Sequence, residues 1–198
     1  MINPHKITNY NRSEPELEEF LLFCILVAGK TAYIQAKKLN EFLNSINEKS
    51  EVSLSPFQCL KFLDENNILL YQLVSCKIGQ YNRIHKAFSY IANNNIDILK
   101  CTLDDLEKIP GVGPKTSRFF MLHSRRCEVA ILDTHILKWM RNIGYNDAPK
   151  SSPTDKKIYK KWESIFIKYC KDNDKDLAEF DLEIWNSYSK KEKNLNEN

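Results

Sequence analysis

Leucine, isoleucine and phenylalanine recur three and four residues apart along almost the whole chain, the spacing that lines one face of an α-helix. Only five glycines and seven prolines interrupt 198 residues, and few stretches alternate in the way a half-buried strand requires. The expectation is an all-α fold, two helical lobes packed as a single unit over residues 1–198. A hydrophobic content of 42% is enough to fill its core. The longest apolar run, Phe20 to Ala28, is far shorter than a membrane span, and acidic residues precede it where a signal peptide is basic. These features predict a soluble intracellular monomer, in the cytoplasm or nucleoid, with no membrane partner.

The first twelve residues read as polar and loose. Ser13 followed by Glu14, Pro15 and Glu16 opens a helix that runs buried through Val27. Helical periodicity then covers Thr31 to Leu43, Pro56 to about Asn66, Leu69 to Val74 and Asn82 to Asn93, the last entered through the turn Ile78-Gly79-Gln80-Tyr81. Thr102 with Asp105 three residues later forms a capping box for a short helix ending at Ile109, before Pro110. Helices over Lys156 to Cys170 and Asp176 to Tyr188 lead to a polar tail, 190–198, expected to be flexible.

Six cysteines lie far apart, with no C-x-x-C pair and no histidines clustered around them, so they read as small buried hydrophobes of a reducing compartment. The net charge of +3 is too small to identify a partner, but its distribution is uneven. Lys150, Lys156, Lys157, Lys160, Lys161, Lys168 and Lys171 face only Asp155 and Glu163 over the same stretch. A solvated helix face and a phosphate-contacting face both fit that run.

The most informative stretch is Leu103 to Gly144, LDDLEKIPGVGPKTSRFFMLHSRRCEVAILDTHILKWMRNIG. A short helix stops at Pro110, Gly111-Val112-Gly113 turns sharply, and Pro114 suits the first position of a second helix. Glycines flanking Val112 permit positive φ and close approach of a polyanion to the backbone. The amides at the following helix N-terminus, with its positive dipole end, would then face a phosphate. Gly111, Val112, Gly113, Lys115 and Thr116 are the candidate DNA-backbone contacts, of a kind that grips without reading sequence. A plain helix-turn-helix connection is the alternative. Eighteen residues after Lys115 stands Asp133, at the start of another helix. An amine at the positive end of a helix dipole has its charged form disfavoured and can serve as a nucleophile.

IPGVGPK followed by ILDTHI resembles the helix-hairpin-helix, Gly/Pro-rich loop and Asp signature of the endonuclease III superfamily of base-excision DNA glycosylases. The resemblance implies that Asp133 is essential for base removal and that Lys115 marks an enzyme that also cleaves the strand. Asp133 would stabilise an oxocarbenium-like sugar and help deprotonate the amine. Lys115 would attack C1′, forming a Schiff base that permits β-elimination, and the target base would be flipped out of the duplex. The implied partner is double-stranded DNA containing a damaged base. This chemistry requires no cofactor and no metal. His135 has a secondary role at most, and His85 and His123 read as structural or solvent-exposed.

Endonuclease III itself carries four closely spaced cysteines after the catalytic Asp, whereas this chain has only Cys170 there, so no iron-sulfur cluster can form. Three segments, LLFCILVAGKTA, AILDTHIL and DLAEFDLEIW, are similar to the compact second class of 8-oxoguanine DNA glycosylases. That similarity implies a bifunctional glycosylase/AP lyase of base excision repair, with Trp185 against the flipped purine; a core position for Trp185 is the alternative. Ala28-Gly29-Lys30-Thr31 aligns with the loop that fills the hole left by the flipped base, so Gly29 and Lys30 become wedge candidates, a simple turn being the alternative. Tyr81, with Asn82, sits where the family lines the pocket. Two features depart from that class: Thr134 stands where Arg is expected, and the chain runs thirteen residues past Trp185. A glycosylase for oxidised pyrimidines or alkylated bases, and a non-catalytic DNA-binding module, remain the alternatives; only the module needs neither Lys115 nor Asp133.

Overall fold

The computed structural model describes residues 1–4, 6–47 and 53–196, the last eight by backbone alone. Ten helices and no strand occur among them. In chain order they are α1 (Glu14–Val27), α2 (Ala32–Asn47), α3 (Pro56–Glu65), α4 (Leu69–Ser75), α5 (Tyr81–Asn93), α6 (Leu103–Leu106), α7 (Pro114–Ser124), α8 (Thr134–Asn142), α9 (Lys156–Asp172) and α10 (Leu177–Asn196). The chain divides into two compact units, Met1–Val112 and Gly113–Asn198. No described helix is long and apolar enough to cross a membrane.

In the first unit, α1 is apolar nearly all round, and a helix of that kind belongs in the interior. Its residues Phe20 to Leu26 are almost completely buried. Helices α2, α3 and α5 pack on it. The box at its start forms as the sequence anticipates, Ser13 N donating to Glu16 at 2.7 Å. Glu18, buried on α1, accepts from Phe57 N at 3.0 Å and so satisfies an amide in the first turn of α3. The described residues among 1–12 are less loose than their polarity suggests. Ile2 and Ile7 are buried, and Arg12 holds the carbonyls of Ile7 and Asn9 while lying 4.0 Å over the Phe20 ring. Two isoleucines and one bridging arginine are enough to anchor an otherwise polar segment.

Two boundaries differ from the sequence reading for local reasons. Helix α6 ends at Leu106 rather than Ile109, because Lys108 and Ile109 bond back three residues, to Asp105 and Leu106, and tighten the chain before Pro110. Helix α10, expected to end at Tyr188, runs on to Asn196, since SKKEKNLN contains no Gly or Pro and Lys and Glu favour helix; residues 197–198 of the expected tail lie outside the described residues.

In the second unit, the apolar faces of α8, α9 and α10 meet in a core built from Ile136, Leu137, Met140, Tyr159, Trp162, Phe166, Phe180 and Ile184, closed at one side by Ala130 and Leu132. Trp139 meets the rings of Phe166, Tyr169 and Phe180 edge to face, at 4.9–5.8 Å between centroids. None of the six cysteines is in a disulfide, and Cys24, Cys59, Cys101 and Cys170 are buried.

Candidate active site

The hairpin begins in the first unit. Val112 is buried, and its amide donates to Ile109 O at 3.0 Å, closing the turn. Gly111 adopts φ +80, a conformation costly for any residue with a Cβ, and a Cβ there would also lie 3.0 Å from Arg83 Cγ. Gly113 differs from the expectation of two left-handed glycines. Its backbone is extended (φ −107, ψ −175), with open space where a Cβ would stand. Gly113 is the N-cap of α7 and, lacking a side chain, leaves the helix start uncapped, with Pro114 at the first helical position. The first intrahelical bond is from Ser117 N to Gly113 O. The amides of Lys115 and Thr116 therefore have no partner within the helix, at its positive end. The Thr116 side chain is buried, so only its backbone is placed to meet a phosphate.

Asp133 lies at the end of an extended segment and is the N-cap of α8. Its Oδ1 accepts from the amides of His135 and Ile136, both at 2.9 Å. Its other oxygen, Oδ2, stands 3.9 Å from Lys115 Nζ, the carboxylate 12% and the lysine side chain 47% exposed. The capping and catalytic readings of Asp133 are thus compatible: one oxygen orders the helix and the other faces the amine.

Around this pair the second unit buries several charged groups. Arg118 and Glu163 form a forked ion pair at 2.8 and 3.2 Å, both nearly inaccessible. Glu163 counts in the sequence as one of few acids among the lysines of 150–171, yet it turns inward. The lysines stay on the outer face of α9, two of them paired at its far end, Lys168 with Asp172 and Lys171 with Glu128. The Tyr159 hydroxyl is buried among these groups, and burial raises its pKa. His123 is completely inaccessible and pairs through Nε2 with Asp181 Oδ2 at 3.3 Å. Burial likewise raises the Asp181 carboxyl, opposed by His123, and the charges of Asp133 and Lys115 also act on it.

The pocket candidates fall in different units. In the first, Gly29 takes φ +70 and hands the chain to Lys30, whose ammonium donates to the carbonyls of Ile78 at 2.8 Å and Gly79 at 3.2 Å. Lys30 is therefore a clasp between two turns rather than a side chain projecting as a wedge. Burial, with Arg83 and Lys38 nearby, lowers its pKa. The clasp brings Gly29 and Lys30 to the turn that precedes Tyr81, the half-buried first residue of α5, behind the left-handed Gln80. In the second unit, Ile184 enters the core while Trp185 stays half buried. His135 lies beside Tyr188, at 6.3 Å between ring centroids.

Sequence reasoning missed Arg83, Arg118, Tyr159, Glu163 and Asp181, and left His123 as structural or exposed. Only Glu163 carried a signal, an acid in the middle of a basic helix, at the same spacing from Tyr159 and Phe166 that marks the apolar face.

The hairpin, the uncapped helix start and the Lys–Asp pair are those expected of a helix-hairpin-helix DNA glycosylase. The sequence profile of the 8-oxoguanine DNA glycosylase family matches residues 2–175, and the chain belongs to that family. An 8-oxoguanine DNA glycosylase/AP lyase of Picrophilus torridus is 28% identical over 171 residues, 77% of this chain and 78% of the relative. The protein of the same description from Saccharolobus solfataricus is 21% identical over 187 residues, 93% and 87%. The crystal structure of Methanocaldococcus jannaschii 8-oxoguanine DNA glycosylase superimposes with a TM-score of 0.61 at 22% identity, covering 91% of this chain and 81% of that one. The same archaeal enzyme in complex with a 15mer DNA containing 8-oxoguanine gives 0.59 at 23% identity, over 88% and 81%.

Proposed function

We propose that this protein is a bifunctional DNA glycosylase/AP lyase that excises 8-oxoguanine from double-stranded DNA and then cuts the strand. The observation that carries the reading is the approach of Lys115 Nζ to the free carboxylate oxygen of Asp133, at the uncapped start of α7. The amides of Lys115 and Thr116, which have no partner within the helix and lie at its positive end, suit a phosphate flanking the lesion. That contact, with the turn at Gly111-Val112-Gly113, brings the sugar of the damaged nucleotide to the amine.

As the bond between C1′ and the base lengthens, positive charge grows on the sugar, and Asp133 Oδ2, held beside the amine, is the anion that stabilises it. Lys115 gives up its ammonium proton by way of Asp133 to the departing base, so the carboxylate stays charged, and the neutral amine adds at C1′ as the base leaves with the bonding electrons. Opening of the sugar ring gives a protonated Schiff base between Nζ and C1′. The iminium acidifies the hydrogens on C2′; loss of one of them expels the 3′ phosphate and breaks the strand. Gly29 and Tyr81, in the first unit, and Trp185, in the second, are the residues assigned to the lesion or its vacated place in the stack, Lys30 serving to hold the Gly29 turn through the carbonyls of Ile78 and Gly79. Trp185, half buried, retains a face on which a purine can stack, an interaction worth about 1 to 3 kcal/mol.

The test is borohydride trapping on a duplex carrying one 8-oxoguanine opposite cytosine. Wild-type protein should give a covalent protein–DNA adduct, and Lys115→Gln should give none and leave the strand uncut. An adduct formed only with an abasic site would keep the chemistry and change the lesion; no adduct with either substrate would leave a DNA-binding module.

A further inference from the structure

The backbone from Ala130 to Asp133 is buried without belonging to a helix or sheet, so its amides and carbonyls need partners from elsewhere. Two side chains of α9 serve three of these groups. The Tyr159 hydroxyl accepts from Leu132 N at 2.9 Å and donates to Ala130 O at 3.1 Å, bracketing the segment on both sides of Ile131. Glu163 Oε1 accepts from Ala130 N at 3.1 Å. The same Oε1 also receives Arg118 Nε at 2.8 Å, and the second oxygen receives Nη2 at 3.2 Å. Arg118 lies one helical turn beyond Lys115, reaches back to Pro114 O at 3.3 Å, and spreads its guanidinium over the Tyr159 ring at 4.6 Å. A continuous set of bonds thus runs from the first turn of the nucleophile's helix, through one buried ion pair and one hydroxyl, to the residue preceding the catalytic carboxylate.

Neutral apolar packing would also bury these segments, and a buried ion pair is weak evidence of stabilisation in itself. Directional bonds do something that packing does not: they fix the position of residues 130–133 along their own length. From this geometry we infer that Arg118, Glu163 and Tyr159 are positioning residues that set the separation of Lys115 and Asp133. The inference rests on the glycosylase/lyase reading above. Displacement of the 130–133 segment moves Asp133 relative to the amine while leaving the phosphate-binding amides of α7 in place.

Two variants separate this role from bulk stability. Tyr159→Phe keeps the ring under Arg118 and loses the hydroxyl. Glu163→Asp keeps the negative charge Arg118 needs and withdraws the carboxylate by one methylene. For each, base release under single-turnover conditions at saturating 8-oxoguanine duplex is compared with DNA affinity, borohydride trapping on a preformed abasic site, and thermal unfolding. Base release should fall by about tenfold to a hundredfold, the scale set by a misplacement of about 1 Å. Affinity should stay within about twofold, because the phosphate contacts survive. Trapping on the abasic site should fall less than base release, since no base remains to be expelled. A folded variant with wild-type base release, or equal losses in release, affinity and trapping, would overturn the inference. Wild-type protein that neither releases a base nor traps would instead sink the activity reading itself, before any variant is made.

Discussion

Asp133 separates two effects that a single substitution usually confounds. Its Oδ1 serves the amides of His135 and Ile136, and its Oδ2 serves the amine. Asparagine can cap a helix about as well as aspartate but carries no charge, whereas alanine can do neither. Asp133→Asn should therefore lose base release by about 10² to 10³, the usual scale for removing a fixed charge-stabilising group, with unfolding close to wild type. Asp133→Ala should lose the same activity and about 1 kcal/mol of stability besides. Thermal unfolding of the two variants side by side checks this, and equal melting temperatures would show that the cap carries no weight. The pairing of Lys115 with Asp133 was legible in the sequence because the spacing between them follows a hairpin with its own turn chemistry. The sequence did not reveal the division of labour between the carboxylate oxygens, which depends on where the α8 amides point.

At the level of elements, the hairpin joining α6 to α7 uses its two glycines differently. Gly111 is held at positive φ and against Arg83, while Gly113 is extended and open. Gly111→Ala should cost about 1 to 2 kcal/mol, the left-handed penalty for a residue with a Cβ, and weaken DNA binding as the turn opens. Gly113→Ala should leave denaturant unfolding nearly unchanged. Comparable losses in the two variants would mean that the turn tolerates no side chain at either place. Most helices could be placed from apolar spacing, since α5 and α9 each bury a continuous face and α1 is buried nearly all round. The misplaced ends, at α6 and α10, were decided by three-residue hydrogen bonds in one case and by the lack of any breaker in the other. The supporting polar bonds were invisible for a different reason: Arg118 and Glu163 lie forty-five residues apart, and no local pattern distinguishes a paired buried charge from a solvated one.

Across the whole molecule, buried Asp181 should leave a signature in the pH dependence of stability. Burial holds its carboxyl above the ordinary value of 3.8. Between 3.8 and that raised value the unfolded chain has released the proton while the folded chain still keeps it, so unfolding releases a proton there. This contribution is fully present below 3.8 and is lost as pH climbs through the window. Urea unfolding from pH 3.5 upward should show wild type losing stability relative to Asp181→Asn, which has no such proton to give up; parallel curves would sink the prediction. The shared duty of Asp133 also reaches beyond the test tube. A cell carrying the alanine form would clear much of it by proteolysis, and a second, normal gene copy would cover the deficit. The asparagine form would persist at full abundance, seated on lesions it cannot release and shielding them from the working copy. Of two equally inactive alleles, the one that keeps its helix cap should be the dominant one.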